Sequence, residues 1–231
     1  MGGRISPSFC YGIAHELRAP VRATRAFSEL LVKETAVARD EVDSDYARRI
    51  AQASSYMDKL IEDLLAYGRL HHTEMTLVGV SVRSTVERVL QHLAADIQRQ
   101  KAKLITDAGL ERVRAHPMLI GQALENLVSN ALKFVAPGAS PQVKIETERA
   151  GKGRIRISVR DKGPGIDPAW QQKIFGIFQR AHSHEEFPGT GIGLAMVKRI
   201  VELMDGEVGV ISSPGHGSCF WIELPAARSG D

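Results

Sequence analysis

Two runs of apolar residues at helical spacing occupy the first third of the chain. The first is Phe9, Ile13, Leu17, Val21, Phe27, Leu30 and Leu31, and the second is Tyr46, Ile50, Ala53, Met57, Leu60, Ile61, Leu64 and Leu65. A polar and acidic stretch from Thr35 to Asp45 separates them. Apolar residues three and four positions apart are typical of amphipathic helices. The pattern therefore predicts an antiparallel helical hairpin within residues 1–72.

The apolar stripe of each predicted helix is wider than a single partner helix can cover. A second copy of the hairpin would cover it and give a four-helix bundle in a homodimer. The alternative is a hairpin packed against the C-terminal part of its own chain. Gly68 and the polar residues that follow predict a domain boundary. The tandem His71 and His72 have no third ligand nearby in sequence and are interpreted as a solvated helix end.

From Leu77 onward the pattern changes to mixed strands and helices. Strands are predicted at Val78 to Val82, Lys103 to Asp107, Gln142 to Glu148, Arg154 to Arg160, Glu207 to Ile211 and Ser218 to Leu224. Helices are predicted at Ser84 to Gln100, Pro117 to Val135 and Gly191 to Met204. The predicted fold of residues 77–226 is an α+β sandwich, with helices on one face of a mixed sheet.

Composition and charge narrow the functional classes. The chain has 231 residues, of which 43% are hydrophobic and 25% charged, as in soluble globular proteins. The net charge of +3 comes from interleaved residues of both signs, which argues against a nucleic-acid partner. Without an apolar run of membrane-spanning length or a secretory signal, we expect a cytoplasmic protein with no membrane contact of its own. Cys10 and Cys219 are interpreted as buried small apolar residues.

Three polar motifs in the second part of the chain suggest a nucleotide site. Asn126, Asn130 and Lys133 fall on one face of the predicted helix, where an amide oxygen suits Mg²⁺ and an ammonium group suits phosphate. Asp161 ends a predicted strand, and its carboxylate can accept a hydrogen bond from an exocyclic amine such as that of adenine. Gly163 and Gly165 follow it and allow a close approach of the backbone.

The third motif is glycine-rich and leads into a helix. It consists of Gly189, Thr190, Gly191, Ile192, Gly193 and Leu194. Free amides at a helix N-terminus favour phosphate. Because no strand immediately precedes this motif and no Lys-Ser/Thr pair closes it, a Rossmann or Walker loop is not expected.

Together and in this order, the three motifs resemble the ATP-binding domain shared by histidine kinases, gyrase-type topoisomerases, heat-shock chaperones and mismatch-repair ATPases. The resemblance implies a Bergerat-type fold that binds ATP and Mg²⁺. It implies that Asn130 coordinates Mg²⁺ with support from Asn126, and that Lys133 contacts phosphate. Asp161 would contact adenine, Gly163 and Gly165 would shape the base pocket, and the motif from Gly189 to Leu194 would form a mobile lid.

The segment between the second and third motifs extends the resemblance. Phe175 and Phe178 resemble the aromatic segment that anchors the lid in histidine kinases, and Arg180 matches a position that can reach the terminal phosphate. His182 and His184 are interpreted as lid residues in solvent and not as metal ligands.

The sequence of the N-terminal hairpin indicates which of these kinds of ATP-binding protein the chain resembles. Phe9 and the segment Ala14-His15-Glu16-Leu17-Arg18-Ala19-Pro20 resemble the phosphoacceptor pattern of sensor histidine kinases, with some similarity to phytochrome-like members. Pro20 would bend the helix beside His15. Imidazole is substantially unprotonated at pH 7, so His15 can attack the γ-phosphoryl group of ATP while Glu16 acts as the base. The phosphohistidine would then donate to an aspartate of a response regulator.

Two residues depart from the pattern of sensor histidine kinases. Ala14 replaces the usual Ser, and Ala19 replaces a Thr or Asn, which predicts weak phosphatase activity towards the partner.

Two functions other than a histidine kinase stay open. The first alternative is an ATPase of the same superfamily, which would not need His15 and Glu16. The second is a catalytically silent dimeric scaffold, against which the intact site motifs argue. The stimulus, the cognate regulator and the choice between cis and trans autophosphorylation are left open.

Overall fold

The computed structural model describes residues 18, 21–22, 24–26, 28–29, 31–32, 41–70, 75–106, 111–151, 153–182, 186–187 and 189–228, with residues 41–46 described through their backbone. The chain divides into two compact units, Met1–Thr73 and Glu74–Asp231. Several residues singled out from the sequence lie outside the described residues: Phe9, Cys10, Ala14, His15, Glu16, Ala19, Pro20, His71, His72 and His184.

The first unit is helical. Its described residues from 18 to 32 are helical, and helix α1 spans Glu41–Arg69. Val21 of the first segment is buried with Ile61 and Leu65 of α1, and Leu64 packs against them. This packing agrees with the predicted hairpin. Helix α1 begins before Tyr46, the first apolar residue of the predicted second run.

The second unit contains two sheets. Strand β1 (Val78–Ser81) pairs antiparallel with β3 (Arg112–Ala115). A five-stranded sheet has the order β2-β4-β5-β7-β6. Its strands are β2 (Lys103–Thr106), β4 (Gln142–Arg149), β5 (Arg154–Asp161), β6 (Glu207–Ser212) and β7 (Ser218–Pro225). Strands β2 and β4 are parallel and all the other pairs are antiparallel, so the sheet is mixed as predicted.

Four helices accompany these strands: α2 (Val82–His92), α3 (Ala94–Arg99), α4 (Pro117–Lys133) and α5 (Gly193–Leu203), with a 3₁₀ turn at Lys173–Phe175. Helices α4 and α5 pack against each other and against the five-stranded sheet. Leu124, Leu127 and Ile200 of these helices are fully buried, as are Ile157 and Ile222 of the sheet. The core therefore lies between helices and sheet, which confirms the α+β sandwich.

The structure corrects several predicted boundaries. The single helix predicted from Ser84 to Gln100 is interrupted at Leu93, whose φ and ψ are −89° and 7°. The predicted first strand stops at Ser81, because the Ser81 side chain accepts a hydrogen bond from the amide of Ser84 and caps α2. Helix α5 begins at Gly193 and not at Gly191, since Gly191 has a φ of +74°. Strand β3 was not predicted.

Candidate nucleotide site

Helix α4 provides the polar face of the site. Pro117 occupies the first turn, and the Nδ1 atom of His116 accepts a hydrogen bond from the amide of Leu119 at 3.4 Å. Asn126, Asn130 and Lys133 are each half-buried on this helix. The opposite face of α4 is buried through Leu124, Leu127, Val128 and Leu132. The predicted arrangement of the three polar residues on one helix face is therefore present.

Asn126 lies against the start of α5. Its Nδ2 atom donates to the carbonyl of Gln122 at 2.9 Å. Its Oδ1 atom lies 2.8 Å from the position that a Cβ atom on Gly193 would occupy. A side chain at residue 193 would displace this amide, so Gly193 allows the N-terminus of α5 to approach the polar face of α4.

Lys133 is a poorly solvated cation beside a second cation. Its Nζ atom lies 4.5 Å from the centroid of the Phe134 ring and 2.5 Å from the Cβ position of a substituted Gly189. Burial, followed by the charge of Arg180, lowers the pKa of Lys133 to about 8. A bound anion would offset both effects, so this pair of cations is suited to phosphate.

Asp161 is a buried carboxylate at the end of β5. Its Oδ1 atom accepts hydrogen bonds from the amides of Gly163 at 2.7 Å and Ser218 at 3.1 Å. The Oδ2 atom has no hydrogen-bond partner among the described residues. Burial raises the pKa of Asp161 in spite of the two amide donors. One oxygen is thus fixed by the backbone, which leaves the other to accept a hydrogen bond from a ligand.

The loop after Asp161 needs glycine for reasons of its own packing. A Cβ atom on Gly163 would lie 2.2 Å from the carbonyl oxygen of Phe134. Gly165 has a φ of +75°, and its Cβ atom would lie 2.0 Å from the carbonyl oxygen of Ser213. The two glycines therefore bring this loop against the end of α4 and against the β6–β7 turn.

The β6–β7 turn supports the site, and sequence reasoning missed it. The Oγ atom of Ser212 accepts from the amide of Ile166 at 2.9 Å, while Ser218 holds Asp161 as described above. A Cβ atom on Gly217 would lie 2.2 Å from the carbonyl oxygen of Asp161. The two glycines that flank His216 immediately before β7 were the only signal of this role in the sequence.

The glycine-rich segment is held by backbone and side-chain contacts. The carbonyl of Gly191 accepts from the amide of Phe178 at 3.0 Å, and Thr190 is buried with its Oγ1 atom 3.4 Å from the amide of Ile192. Leu194 is half-buried in the first turn of α5. Arg180 donates to the carbonyls of Phe187, at 2.5 Å, and of Gly189. Arg180 thus ties both ends of the 180–189 segment together.

His182 is not the solvent-exposed residue that the sequence suggested. It is half-buried, and its Nε2 atom lies 3.1 Å from the carbonyl oxygen of Gly165. Its ring centroid is 5.8 Å from that of Phe134 and 5.4 Å from that of Phe187. Among the described residues no group of three or more His, Cys, Asp or Glu side chains could hold a metal ion.

The three sequence motifs therefore meet along helix α4 and at Phe134, the residue that follows its last turn. Asn126 contacts Gly193, and Lys133 contacts Gly189. The carbonyl of Phe134 contacts Gly163, which is bonded to Asp161. His15 and Glu16 lie outside the described residues.

Cys219 is buried, as predicted, and this burial raises the pKa of its thiol.

Comparison with known proteins identifies the family. Residues 115–228 match the family described as histidine kinase-, DNA gyrase B- and HSP90-like ATPase. Residues 8–73 match the His kinase A (phospho-acceptor) domain. The chain belongs to the sensor histidine kinase family, with a phosphoacceptor domain followed by an ATPase domain.

Several known proteins resemble almost the whole chain. Phytochrome-like protein Cph1 of Synechocystis sp. is 33% identical over 94% of this chain and 29% of its own length. Sensor protein GacS of Pseudomonas syringae pv. syringae is 32% identical over 97% of this chain and 26% of its own length. Full-length ShkA, crystallised with AMPPNP, has a TM-score of 0.71 at 26% identity and covers 98% of this chain and 47% of its own.

The chain thus spans less than a third of the length of these two curated relatives. In the part of the chain that the structure describes, no helix combines the length and the apolar character needed to cross a membrane.

Proposed function

We propose that this chain is an ATP-dependent protein histidine kinase. It transfers the γ-phosphoryl group of ATP to His15 and then to an aspartate of a response regulator. The observation that carries the proposal is the meeting of the three motifs along α4 and at its C-cap residue Phe134, in a chain whose residues 8–73 match a phosphoacceptor domain. The proposed units are the hairpin of residues 1–72 and the catalytic domain of residues 77–226.

ATP would lie with its base towards Asp161 and its phosphates towards Lys133. Asp161 Oδ2 accepts a hydrogen bond from the exocyclic amine of adenine, in the loop shaped by Gly163 and Gly165. Lys133 and Arg180 offset the phosphate charge. The segment of Gly189, Thr190, Gly191, Gly193 and Leu194 covers the phosphates at the N-terminus of α5. The relative ShkA, which was crystallised in complex with AMPPNP, supports the binding of a nucleotide by this fold.

The polar face of α4 also fits a magnesium ion. Asn126 and Asn130 supply neutral amide oxygens one helical turn apart, and both are half-buried. Mg²⁺ prefers oxygen donors and keeps several of its waters, so a small set of protein ligands is sufficient. Asn130 would hold the ion, with Asn126 in support. When bound, the ion offsets negative charge on the phosphates.

The reaction itself is a displacement at the γ-phosphorus atom. The Nε2 lone pair of His15 forms the new N–P bond while the bond from phosphorus to the β,γ-bridging oxygen breaks, and ADP leaves with that electron pair. Glu16 takes the proton from Nδ1 of the imidazole. Without this transfer, the phosphorylated imidazole ring would carry a positive charge. In the second step, a carboxylate oxygen of the regulator attacks the phosphorus atom and His15 leaves as neutral imidazole after regaining a proton.

The hairpin is proposed to form a homodimer. Leu31, Ile50 and Met57 are apolar side chains of the first unit with 48%, 42% and 39% of their surface exposed. A second hairpin would cover such residues in a four-helix bundle. Because the reaction consumes ATP, we propose a cytoplasmic location for this part of the protein. The relative Cph1 supports a phytochrome-like subgroup, and Ala19 supports weak phosphatase activity.

Incubation with γ-labelled ATP and Mg²⁺ tests the proposal. We expect label on the wild-type chain that is lost in acid and kept in base, as for phosphohistidine. His15→Ala should abolish it. His92→Ala is the matched control, because His92 is exposed at the end of α2 and pairs with Glu125. Release of phosphate without any labelled protein would instead show an ATPase of the same superfamily. Nucleotide binding with neither label nor phosphate release would indicate a silent scaffold.

A further inference from the structure

The loop that follows Asp161 is held mainly by side chains. Residues 163–166 belong to no helix or strand. Among the described residues, one backbone hydrogen bond joins this loop to the β6–β7 turn, from the amide of Gly215 to the carbonyl of Pro164 at 2.7 Å. The other hydrogen bonds of the loop involve side chains. Two of these side chains, Ser212 and Gln171, have no role in the proposed phosphotransfer.

The hydroxyl group of Ser212, the last residue of β6, uses its full hydrogen-bonding capacity. It accepts from the amide of Ile166 at 2.9 Å, and it lies 2.7 Å from the carbonyl oxygen of Gly217. Because a carbonyl cannot donate, the proton in the second contact belongs to Ser212. The Ser218 hydroxyl lies 3.0 Å from Ser212 Oγ and is therefore the donor in the third contact. The one proton and the two lone pairs of Ser212 Oγ are thus all engaged.

The side chain of Gln171 makes a second connection between Ser212 and Ile166. Its Nε2 atom donates to the carbonyl of Ser212 at 2.8 Å and to the carbonyl of Ile166 at 3.3 Å. A side-chain amide has two N–H donors, so both hydrogen bonds can form at once. The end of the loop is therefore joined to the end of β6 by two side chains. We call the side chains of Ser212 and Gln171 the clasp.

The clasp is connected to Asp161 through the same network. Asp161 Oδ1 accepts from the amides of Gly163 and Ser218. The Ser218 hydroxyl in turn donates to Ser212, and so does the amide of Ile166. The loop is thus fixed at its start by Asp161 and at its end by Ser212, and Ser218 is bonded to both. A polar network whose members are satisfied in this way rigidifies the groups that belong to it.

We propose that Ser212 and Gln171 are positioning residues for the nucleotide, which act on the base through Asp161 and not on the phosphates. This inference rests on the proposed function and deepens it. The clasp holds the loop and the start of β7, and these two segments supply the amides that orient the carboxylate. Without the clasp, the free oxygen of Asp161 would point in a wider range of directions, and the hydrogen bond to the exocyclic amine of adenine would weaken.

The first test compares a ligand that has a base with one that lacks it. In a His15→Ala background, which prevents turnover, the dissociation constants of ATP and of inorganic tripolyphosphate are measured with Mg²⁺ present. Ser212→Ala should weaken ATP binding by about 2- to 12-fold, the range that one net hydrogen bond represents. Tripolyphosphate binding should stay unchanged, and Ser212→Thr should restore ATP affinity. Ser213→Ala is the matched control, because Ser213 is exposed and its hydroxyl makes no hydrogen bond among the described residues.

The second test removes the donors of the clasp and keeps its shape. Gln171→Glu turns an acceptor towards the carbonyls of Ser212 and Ile166. Gln172→Glu adds the same charge on the exposed neighbouring residue. Relative to this control, Gln171→Glu should lose affinity for ATP and none for tripolyphosphate. Because the clasp acts through Asp161, Ser212→Ala should add little to the loss caused by Asp161→Asn, which a double-mutant cycle measures.

Three outcomes would overturn this inference and leave the kinase assignment standing. The first is an unchanged ATP affinity in Ser212→Ala or in Gln171→Glu. The second is an equal loss for ATP and tripolyphosphate, since the effect would then lie in folding. The third is a simple addition of the losses from Ser212→Ala and Asp161→Asn, which would exclude an effect through Asp161. If the wild-type chain bound no ATP at all, the proposed function would be overturned together with the inference.

Discussion

Lys133 and Arg180 place two cations in a half-buried position, and the low pKa of Lys133 has a measurable consequence. The folded pKa of about 8 lies below the ordinary value of 10.5, so the fold disfavours the ammonium form. This cost to stability is complete below pH 8 and declines to zero as the pH rises from about 8 to 10.5. A bound phosphate favours the ammonium form and raises the pKa again. At pH 8 we therefore expect ATP binding to take up about half a proton, and ATP affinity to fall as the pH rises from 7 to 9.

Calorimetry in two buffers of different ionisation enthalpy measures this uptake. Lys133→Arg is the matched control, because its guanidinium keeps the positive charge and does not titrate in this range. The uptake near pH 8 should vanish in that variant. A wild-type chain that takes up no proton at pH 8 would show that Lys133 does not contact the phosphates.

The Asp161→Asn variant distinguishes the roles of the two carboxylate oxygens of Asp161. The remaining amide oxygen can still accept from the amides of Gly163 and Ser218, so the fold should persist. The new NH₂ group can only donate, and it would face the exocyclic amine of adenine. Such a mismatch costs about 1–3 kcal/mol, so ATP affinity should fall by at least about fivefold. Binding titrations with ATP and with GTP measure this loss of affinity. The preference for ATP over GTP should narrow in the variant, because the guanine carbonyl accepts a hydrogen bond.

The same carboxylate predicts an acid limit for binding. Burial raises the pKa of Asp161, so protonation occurs at a higher pH than for an ordinary aspartate. Protonation replaces an acceptor by a donor, and ATP affinity should fall as the pH is lowered towards this pKa. In Asp161→Asn this acid branch should be absent, which a titration between pH 4 and 7 would reveal. An acid branch that persisted in the variant would belong to another group.

At the scale of elements, the loop after β5 depends on two backbone approaches that only glycine permits. Gly165→Ala combines an unfavourable positive φ with an overlap of its Cβ atom on the carbonyl of Ser213. Gly138→Ala is the matched control, since Gly138 has a similar φ of +79° and nothing within 4 Å of its Cβ position. The control should lose about 1–2 kcal/mol of stability, the cost of the left-handed conformation. Gly165→Ala should lose distinctly more, as measured by thermal unfolding, and equal losses would contradict the overlap.

The elements that the sequence predicted well are those whose pattern is local. Helix α4 combines a Pro in its first turn with a long apolar face, and both its existence and its polar side followed from spacing. Strand β3 was missed because it has four residues with only Val113 and Ala115 buried, and it is stabilised by pairing with β1. The interruption at Leu93 was also missed, since both segments that flank it continue the same helical pattern.

In the candidate site, too, the features that could be predicted are local in sequence, and those that were missed depend on distant contacts. Asn126, Asn130 and Lys133 could be placed together because helical periodicity alone brings them to one face. The support of Asp161 by Ser218, and of the following loop by Ser212, spans 57 and 46 residues and depends on the order of strands in the sheet. His182 likewise reaches Gly165 across 17 residues. No local pattern indicates these contacts.

At the scale of the whole molecule, both units expose large apolar side chains. The sheet face away from the helices carries Arg156, which lies 4.5 Å from the Trp221 ring and pairs with Glu223 and Glu148. Arg160 and Lys144 pair with Glu146 on the same face. The same face also carries Ile105 and Ile211, which have 62% and 64% of their surface exposed. In the first unit, Leu31, Ile50 and Met57 have 48%, 42% and 39% of their surface exposed. Because these three residues lie on the helices of the predicted hairpin, a second hairpin is the proposed partner.

Ile50→Glu tests whether that partner is a second copy. A charge at residue 50 would have to be buried in a four-helix bundle, and the apolar contact of an isoleucine, worth about 1.5–3 kcal/mol, would be lost in both subunits. We expect a dimer for the wild-type chain and, at the same concentration, a predominantly monomeric Ile50→Glu variant by light scattering. Gln52→Glu introduces the same charge on an exposed residue turned about 200° around α1 and should stay dimeric.

Nucleotide binding distinguishes loss of the dimer from loss of the fold. The second unit has its own core of helices and sheet, so Ile50→Glu should bind ATP as the wild type does. A variant that stayed dimeric would place the interface elsewhere. A monomeric wild-type chain with Ile50 still exposed would instead favour a different partner for the hairpin. Monomerisation with intact ATP binding would show that the catalytic unit folds independently and that the exposed apolar stripe serves to bring two phosphoacceptor hairpins together.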